Sequence, residues 1–142
     1  MAKTARVVWV EKQQFVGIDS SKHSVVLSGQ DEENGIGISP SELLLLALGG
    51  CASYDVVSIL KKKRQRLTGL EVAVTGVQDE DPPWTFRQIQ VQYRVRGKGL
   101  REKAVHDAVR LSEQKYCSVA ATLRGTVEIT SDVTILEDEE RE

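Results

Sequence analysis

A chain of 142 residues, 40% apolar and 28% charged, is long enough to bury a core without disulfide staples and reads as one domain. A net charge of −2 gives no global reason to bind nucleic acid or an acidic membrane surface, and two cysteines are too few for a disulfide framework. The opening residues lack the apolar region of a signal peptide, and the longest apolar run, Leu43 to Leu48, is too short to span a bilayer, so the cytoplasm is the expected location.

The first segment, 1–38, reads as short strands: Val7 to Val10, Gln14 to Ile18 and Ser24 to Leu27, with a turn at Asp19–Lys22. Asp31 to Gly37 is a polar, glycine-containing loop. A helix then starts sharply. Ser39 can cap it, Pro40 suits the first helical position, and Glu42 sits where a capping box places its carboxylate. The spacing predicts a helix to about Arg66, within a segment 39–67, with Lys61 to Arg66 placing cations near its C-terminus and Thr68-Gly69 ending it.

In the third segment, 68–136, Leu70 to Val77 alternates as a strand and Asp79 to Pro83 is a turn. Phe86 to Val95 alternates clearly, with Ile89, Val91, Tyr93 and Val95 on one face and Gln88, Gln90, Gln92 and Arg94 on the other. Leu100 to Ser112 has helical spacing, a short helix from Cys117 to Leu123 is expected, and Thr126 to Ile135 is a final strand. The acidic end, 137–142, is expected to fray.

The central helix demands unusual cover. About 25 residues at about 1.5 Å each reach about 37 Å, which is also about the full diameter of a compact domain of this length. Leu43, Leu44, Leu45, Leu46, Ala47 and Leu48 point all round the axis, and Val56, Val57, Ile59 and Leu60 continue the trend. A helix apolar all round must be covered all round. One sheet covers one side; a second copy of the helix in a two-fold dimer is the expected cover for the other, the rival being a monomer in which the second helix packs over that face.

Cys51 follows Gly49-Gly50 inside that helix. Two helical glycines cost about 1 kcal/mol each relative to alanine, so they require a reason. One is the close approach of another backbone. The other is a bend that leaves Cys51 near a fresh helix N-terminus, where a thiolate is favoured. Asp55, one turn later on the same face, acts in the opposite sense. Cys117 follows Glu113-Gln114-Lys115-Tyr116, and Lys115 is close enough in sequence to favour its thiolate.

Ser39-Pro40-Ser41-Glu42-Leu43, then Gly49-Gly50-Cys51, then Ser112-Glu113-Gln114-Lys115-Tyr116-Cys117-Ser118-Val119, in this order of elements, resembles the OsmC/Ohr (osmotically inducible protein C-like) family, in particular its YhfA-like branch. The resemblance implies an α+β fold in which curved antiparallel sheets wrap long central helices in an intertwined homodimer. It also implies a thiol-dependent hydroperoxide reductase, an enzyme of the oxidative stress response, with Cys51 as the peroxidatic and Cys117 as the resolving cysteine. Its partners would be a second copy, a hydroperoxide and an external dithiol reductant. No metal or organic cofactor is implied.

The chain departs from the peroxidase members at two places. Those members use an arginine in the N-terminal strands, whereas here no arginine stands between Arg6 and Arg64. They also carry a glutamate directly after the helix-opening proline, whereas here Ser41 takes that place and Glu42 comes one later, rotated by about 100° on a helix. Glu42 is therefore a possible supporting residue whose simpler role is the capping box. These departures leave a second reading open, a non-catalytic or small-molecule-binding member of the fold.

Lys61 to Arg66 reads as a solvated helix end rather than a nucleic-acid patch, since no aromatic or second basic stripe accompanies it. A Cys/His zinc site needs four ligands at suitable spacing; His23 and His106 lie far apart in sequence, and neither cysteine has a near Cys or His partner. Trp9, Trp84, Phe86 and Tyr93 read as core or interface aromatics.

Overall fold

The computed structural model describes residues 1–138. The chain forms two compact units, Met1–Leu44 and Leu45–Glu142. The expectation of a frayed acidic end concerns mainly residues 139–142, which lie outside the described residues; Glu137 itself belongs to the last strand.

The first unit is built on a meander of three antiparallel strands, β1 (Ala5–Glu11), β2 (Gln14–Asp19) and β3 (Ser24–Ser28), in the order β1-β2-β3. Tight turns join them because Lys12 and Lys22 adopt left-handed backbone conformations, at φ 47° and 67°. The Asp19 carboxylate accepts from the Ser21 and His23 backbone amides and from the Ser21 hydroxyl, closing the second turn. Every residue of β1 is exposed, including Val7, Val8, Trp9 and Val10.

The central helix α1 (Pro40–Lys62) begins as the capping box predicts. The Glu42 amide donates to Ser39 Oγ at 3.4 Å, and Ser39 Oγ lies 3.2 Å from Glu42 Oε2. It ends earlier than the sequence suggests. Arg64 takes a left-handed conformation, its amide donates to Lys61 O, and the Gln65 amide donates to Leu60 O. That pair of bonds is a Schellman closure with arginine in the place usually held by glycine. A strand, not the last helical turn, begins at Arg66. By length and composition α1 could cross a bilayer (mean hydropathy 1.9), a test that the core helix of a soluble protein also passes.

In the second unit, β4 (Arg66–Gln78), β5 (Phe86–Lys98) and β6 (Glu128–Glu137) form one sheet in the order β4-β5-β6. The alternation along β5 is realised: Ile89, Val91, Tyr93 and Val95 are buried, and Gln88, Gln90, Gln92 and Arg94 are exposed. The core joins this face to Leu48, Ala52, Val56 and Leu60 of α1 and to Ala104, Val105, Ala108 and Val109 of α2 (Glu102–Leu111). Fully burying one such large side chain contributes about 1.5–3 kcal/mol.

One pairing differs from the expected all-antiparallel sheets: β6 runs parallel to β5, with Gln88 opposite Glu128 and Gly97 opposite Glu137. The cause is the connection. Two helices intervene between β5 and β6 and carry the chain back to the starting end of the sheet, as a parallel crossover requires. The second of them, α3 (Ser118–Leu123), starts one residue after Cys117. Between α2 and α3 lies a single π-helical turn, Ser112–Tyr116, which the periodicity did not disclose.

Gly49 and Gly50 have different reasons. A Cβ on Gly49 would lie 3.0 Å from Val74 Cγ2, so the helix approaches β4 through that glycine. A Cβ on Gly50 would meet nothing within 4 Å. The helix is continuous through both, which removes the expected bend and the fresh N-terminus at Cys51.

Candidate functional site

Cys51 lies on the flank of the buried stripe of α1, and the helical repeat puts Asp55 directly after it on the same face. Cys117 arrives from the other end of the unit. It is the N-cap of α3, and its sulfur accepts from the Ala120 amide at 3.4 Å. Cys51 Sγ, an Asp55 carboxylate oxygen and Cys117 Sγ all lie within 4.8 Å of one another. The two thiols, 66 residues apart in sequence, thus lie side by side, and neither is in a disulfide. Cys117 is buried and Cys51 half-buried.

The surroundings are polar and acidic. Ser112, wholly buried in the π-helical turn, donates to Asp55 Oδ2 at 2.9 Å. The Tyr93 hydroxyl donates to Glu113 Oε1 at 3.3 Å. Burial raises the Tyr93 phenol well above its usual range, and the charges of Glu113, Cys117 and Asp55 push it the same way. Burial likewise pushes the Cys117 thiol up to about 11, reinforced by its contact with Cys51 and opposed by the amides of Ala120 and Val119.

The expected help from Lys115 does not arise. Its ammonium lies 5.2 Å from the centroid of the Tyr116 ring, and the opposing influences on Cys117 are backbone amides. Arg124 donates to the Glu113 carbonyl. A cleft of about 270 Å³ opens beside this point, lined by Glu113, Gln114, Ala120, Arg124, Val127 and Ile129. Glu42 makes its side-chain contact with Ser39, in keeping with the cap. His106 pairs with Glu102 at 3.8 Å, and His23 contacts Ser21.

Asp55, Ser112, Tyr93 and Glu113 are the neighbours that the sequence did not assign to the site. Asp55 carried a signal, the four-residue spacing from Cys51. Ser112 and Glu113 stood in the string that led to Cys117, but their partners are 57 and 20 residues away and no local pattern names them.

An α+β protein that brings two thiols from distant segments together beside a helical carboxylate defines a dithiol-site class. The chain belongs to the OsmC family: the pattern for OsmC-like protein matches residues 29–132, which run across both units. It is 41% identical over 132 residues to Protein YhfA of Escherichia coli strain K12, covering 93% of this chain and 97% of that protein. A hypothetical protein from Aquifex aeolicus VF5 has a similar structure, with a TM-score of 0.87 at 28% identity over 98% of this chain and 99% of that one. The organic hydroperoxide resistance protein OhrB of Bacillus subtilis shares the fold, with a TM-score of 0.63 at 14% identity over 94% and 98% of the two chains.

Proposed function

We propose that this protein is a thiol-dependent hydroperoxide reductase in which Cys51 is peroxidatic and Cys117 resolving. The observation that carries the reading is the approach of the two sulfurs to within 4.8 Å. The Cys51 thiolate attacks the terminal oxygen of a hydroperoxide, the O–O bond breaks, and the departing alkoxide takes a proton to become the alcohol. Cys51 is left as a sulfenic acid. The Cys117 sulfur then attacks the Cys51 sulfur, water leaves, and a disulfide forms. An external dithiol returns both sulfurs to thiols by exchange. Small helix shifts suffice to bring the sulfurs to bonding distance.

The reading includes a homodimer. Leu46, Gly50 and Tyr54 repeat every four residues along α1 and are exposed, with Leu46 at 57% and Tyr54 at 75%. A second copy of the helix would cover this stripe, with Gly50 allowing close approach. The whole chain then acts as one OsmC-like domain. The cytoplasm, where thiols are kept reduced, suits it.

A second reading, a small-molecule-binding member without turnover, is favoured by one observation: burial keeps the Cys117 thiol protonated, against the opposing amides of Ala120 and Val119. Mixing reduced protein with cumene hydroperoxide and counting thiols separates the two. The reductase loses two thiols per hydroperoxide consumed and gains an internal disulfide. Thiols that survive excess hydroperoxide sink the reductase.

A further inference from the structure

We infer that Cys51, Asp55 and Cys117 form a binding site for a thiophilic divalent cation of the zinc class, filled in the reduced protein and dismantled on oxidation. The donors are already gathered. Two sulfurs and a carboxylate oxygen lie within 4.8 Å of one another. A tetrahedral ion with metal–sulfur bonds of about 2.3 Å and metal–oxygen bonds of about 2.0 Å separates its donors by about 3.5–3.8 Å. The site therefore needs to contract by an ångström or so, no more than side-chain rotation provides.

The donors are also held in place. Cys51 and Asp55 stand four residues apart on one continuous helix, a spacing that puts two ligands on one face. Cys117 is fixed as the N-cap of α3 by the Ala120 amide. Ser112 Oγ orients the carboxylate through Oδ2 at 2.9 Å, as outer partners of metal ligands do. Three protein ligands leave the fourth tetrahedral position to solvent.

The charge balance points the same way. Among the described residues, the hydrogen bonds give Asp55 one side-chain partner, the neutral Ser112 hydroxyl, and none of the ion pairs reaches it. A bound cation would neutralise the half-buried carboxylate, and the two thiols, protonated while the site is empty, would bind it as thiolates. The sulfur content selects the ion: thiolates favour zinc, cadmium and cobalt over magnesium or calcium. On binding, each thiol passes its proton to solvent and no electron moves. Oxidation to a Cys51–Cys117 disulfide removes two of three ligands and releases the ion.

The test is a titration of the reduced full-length protein with Co²⁺ under argon, read by the sulfur-to-metal charge-transfer band and the intense visible bands of a tetrahedral ion. We expect one Co²⁺ per chain, displaced by one Zn²⁺, and no binding after oxidation with diamide. Asp55→Asn should keep charge transfer but weaken binding on the order of tenfold or more. Cys51→Ser and Cys117→Ser should each abolish tight binding, with far-UV circular dichroism confirming that the metal-free variants fold. Absence of stoichiometric binding overturns the site, and so does wild-type affinity in Asp55→Asn, which would mark a bare thiol pair. Hydroperoxide consumption by the metal-free protein is measured in parallel. Turnover without Co²⁺ binding overturns the metal site and leaves the reductase standing; binding without turnover does the reverse.

Discussion

The hydroxyl of Ser112 and the carboxylate of Asp55 meet at 2.9 Å across 57 residues of sequence, and this bond ties the π-helical turn to the central helix beside the two thiols. Ser112 is wholly buried and Asp55 half-buried. Hydrogen bonds to a charged group contribute more than neutral ones, and an orphaned partner bears the desolvation cost. Ser112→Ala should therefore lower stability by about 1–3 kcal/mol. Denaturant unfolding would read the change as a lower midpoint at an unchanged slope. A midpoint equal to that of the wild type would show that the bond contributes nothing.

Hydroperoxide consumption should vanish in Cys51→Ser. Cys117→Ser should complete one turnover and stop, leaving a sulfenic acid on Cys51 that a dimedone-type reagent traps, because only the resolving step is lost. Equal activity in wild type and Cys51→Ser would end the reductase reading while leaving the fold assignment intact.

The raised Cys117 thiol sets a direction for pH. Folding holds this group at about 11, above the value of a free cysteine near 8.5. The unfolded chain thus releases this proton at lower pH than the folded one. The stability contributed by the neutral thiol is complete below the free-cysteine value and is lost as pH rises toward about 11. Thermal melts of the reduced protein should show Tm falling between pH 9 and 11, and Cys117→Ser should flatten that fall. A Tm that rises over the same interval would contradict the burial assigned to Cys117.

The two glycines of α1 should respond differently to substitution. Gly49→Ala gains helix propensity but drives a methyl to 3.0 Å from Val74 Cγ2. Overpacking outweighs propensity, for a net loss of roughly 1 kcal/mol. A side chain at Gly50 starts into open space, since its Cβ meets nothing within 4 Å, which is where Gly50→Glu would add its charge. This substitution should leave the fold intact and convert the proposed dimer to a monomer in sedimentation at micromolar concentration. A variant that sediments like the wild type would place the dimer contact elsewhere.

Much of this architecture is legible locally. The alternation from Ile89 to Val95 fixes which face of β5 is buried, and Ser39 and Glu42 mark the start of α1. What escaped depends on distant partners or on rare backbone states. Arg64 closes the helix in a conformation that sequence reading reserves for glycine. The direction of β6 follows from the crossover that precedes it, not from its own residues. The cysteines were legible as a pair through their contexts. The carboxylate between them was visible only as a neighbour of Cys51, and its serine partner was not assigned to the site.

The parallel placement of β6 bears on the order of events during synthesis. Cys51 leaves the ribosome long before Cys117, and Val127 and Ile129, which pack with Cys117 and Ala120 in the core, come later still. Until the crossover closes and β6 lies along β5, the two sulfurs belong to separate stretches of a growing chain. The dithiol site is thus among the last features to be assembled, and a nascent chain cut short before Val127 carries both cysteines but lacks Val127 and Ile129, which complete the core around Cys117.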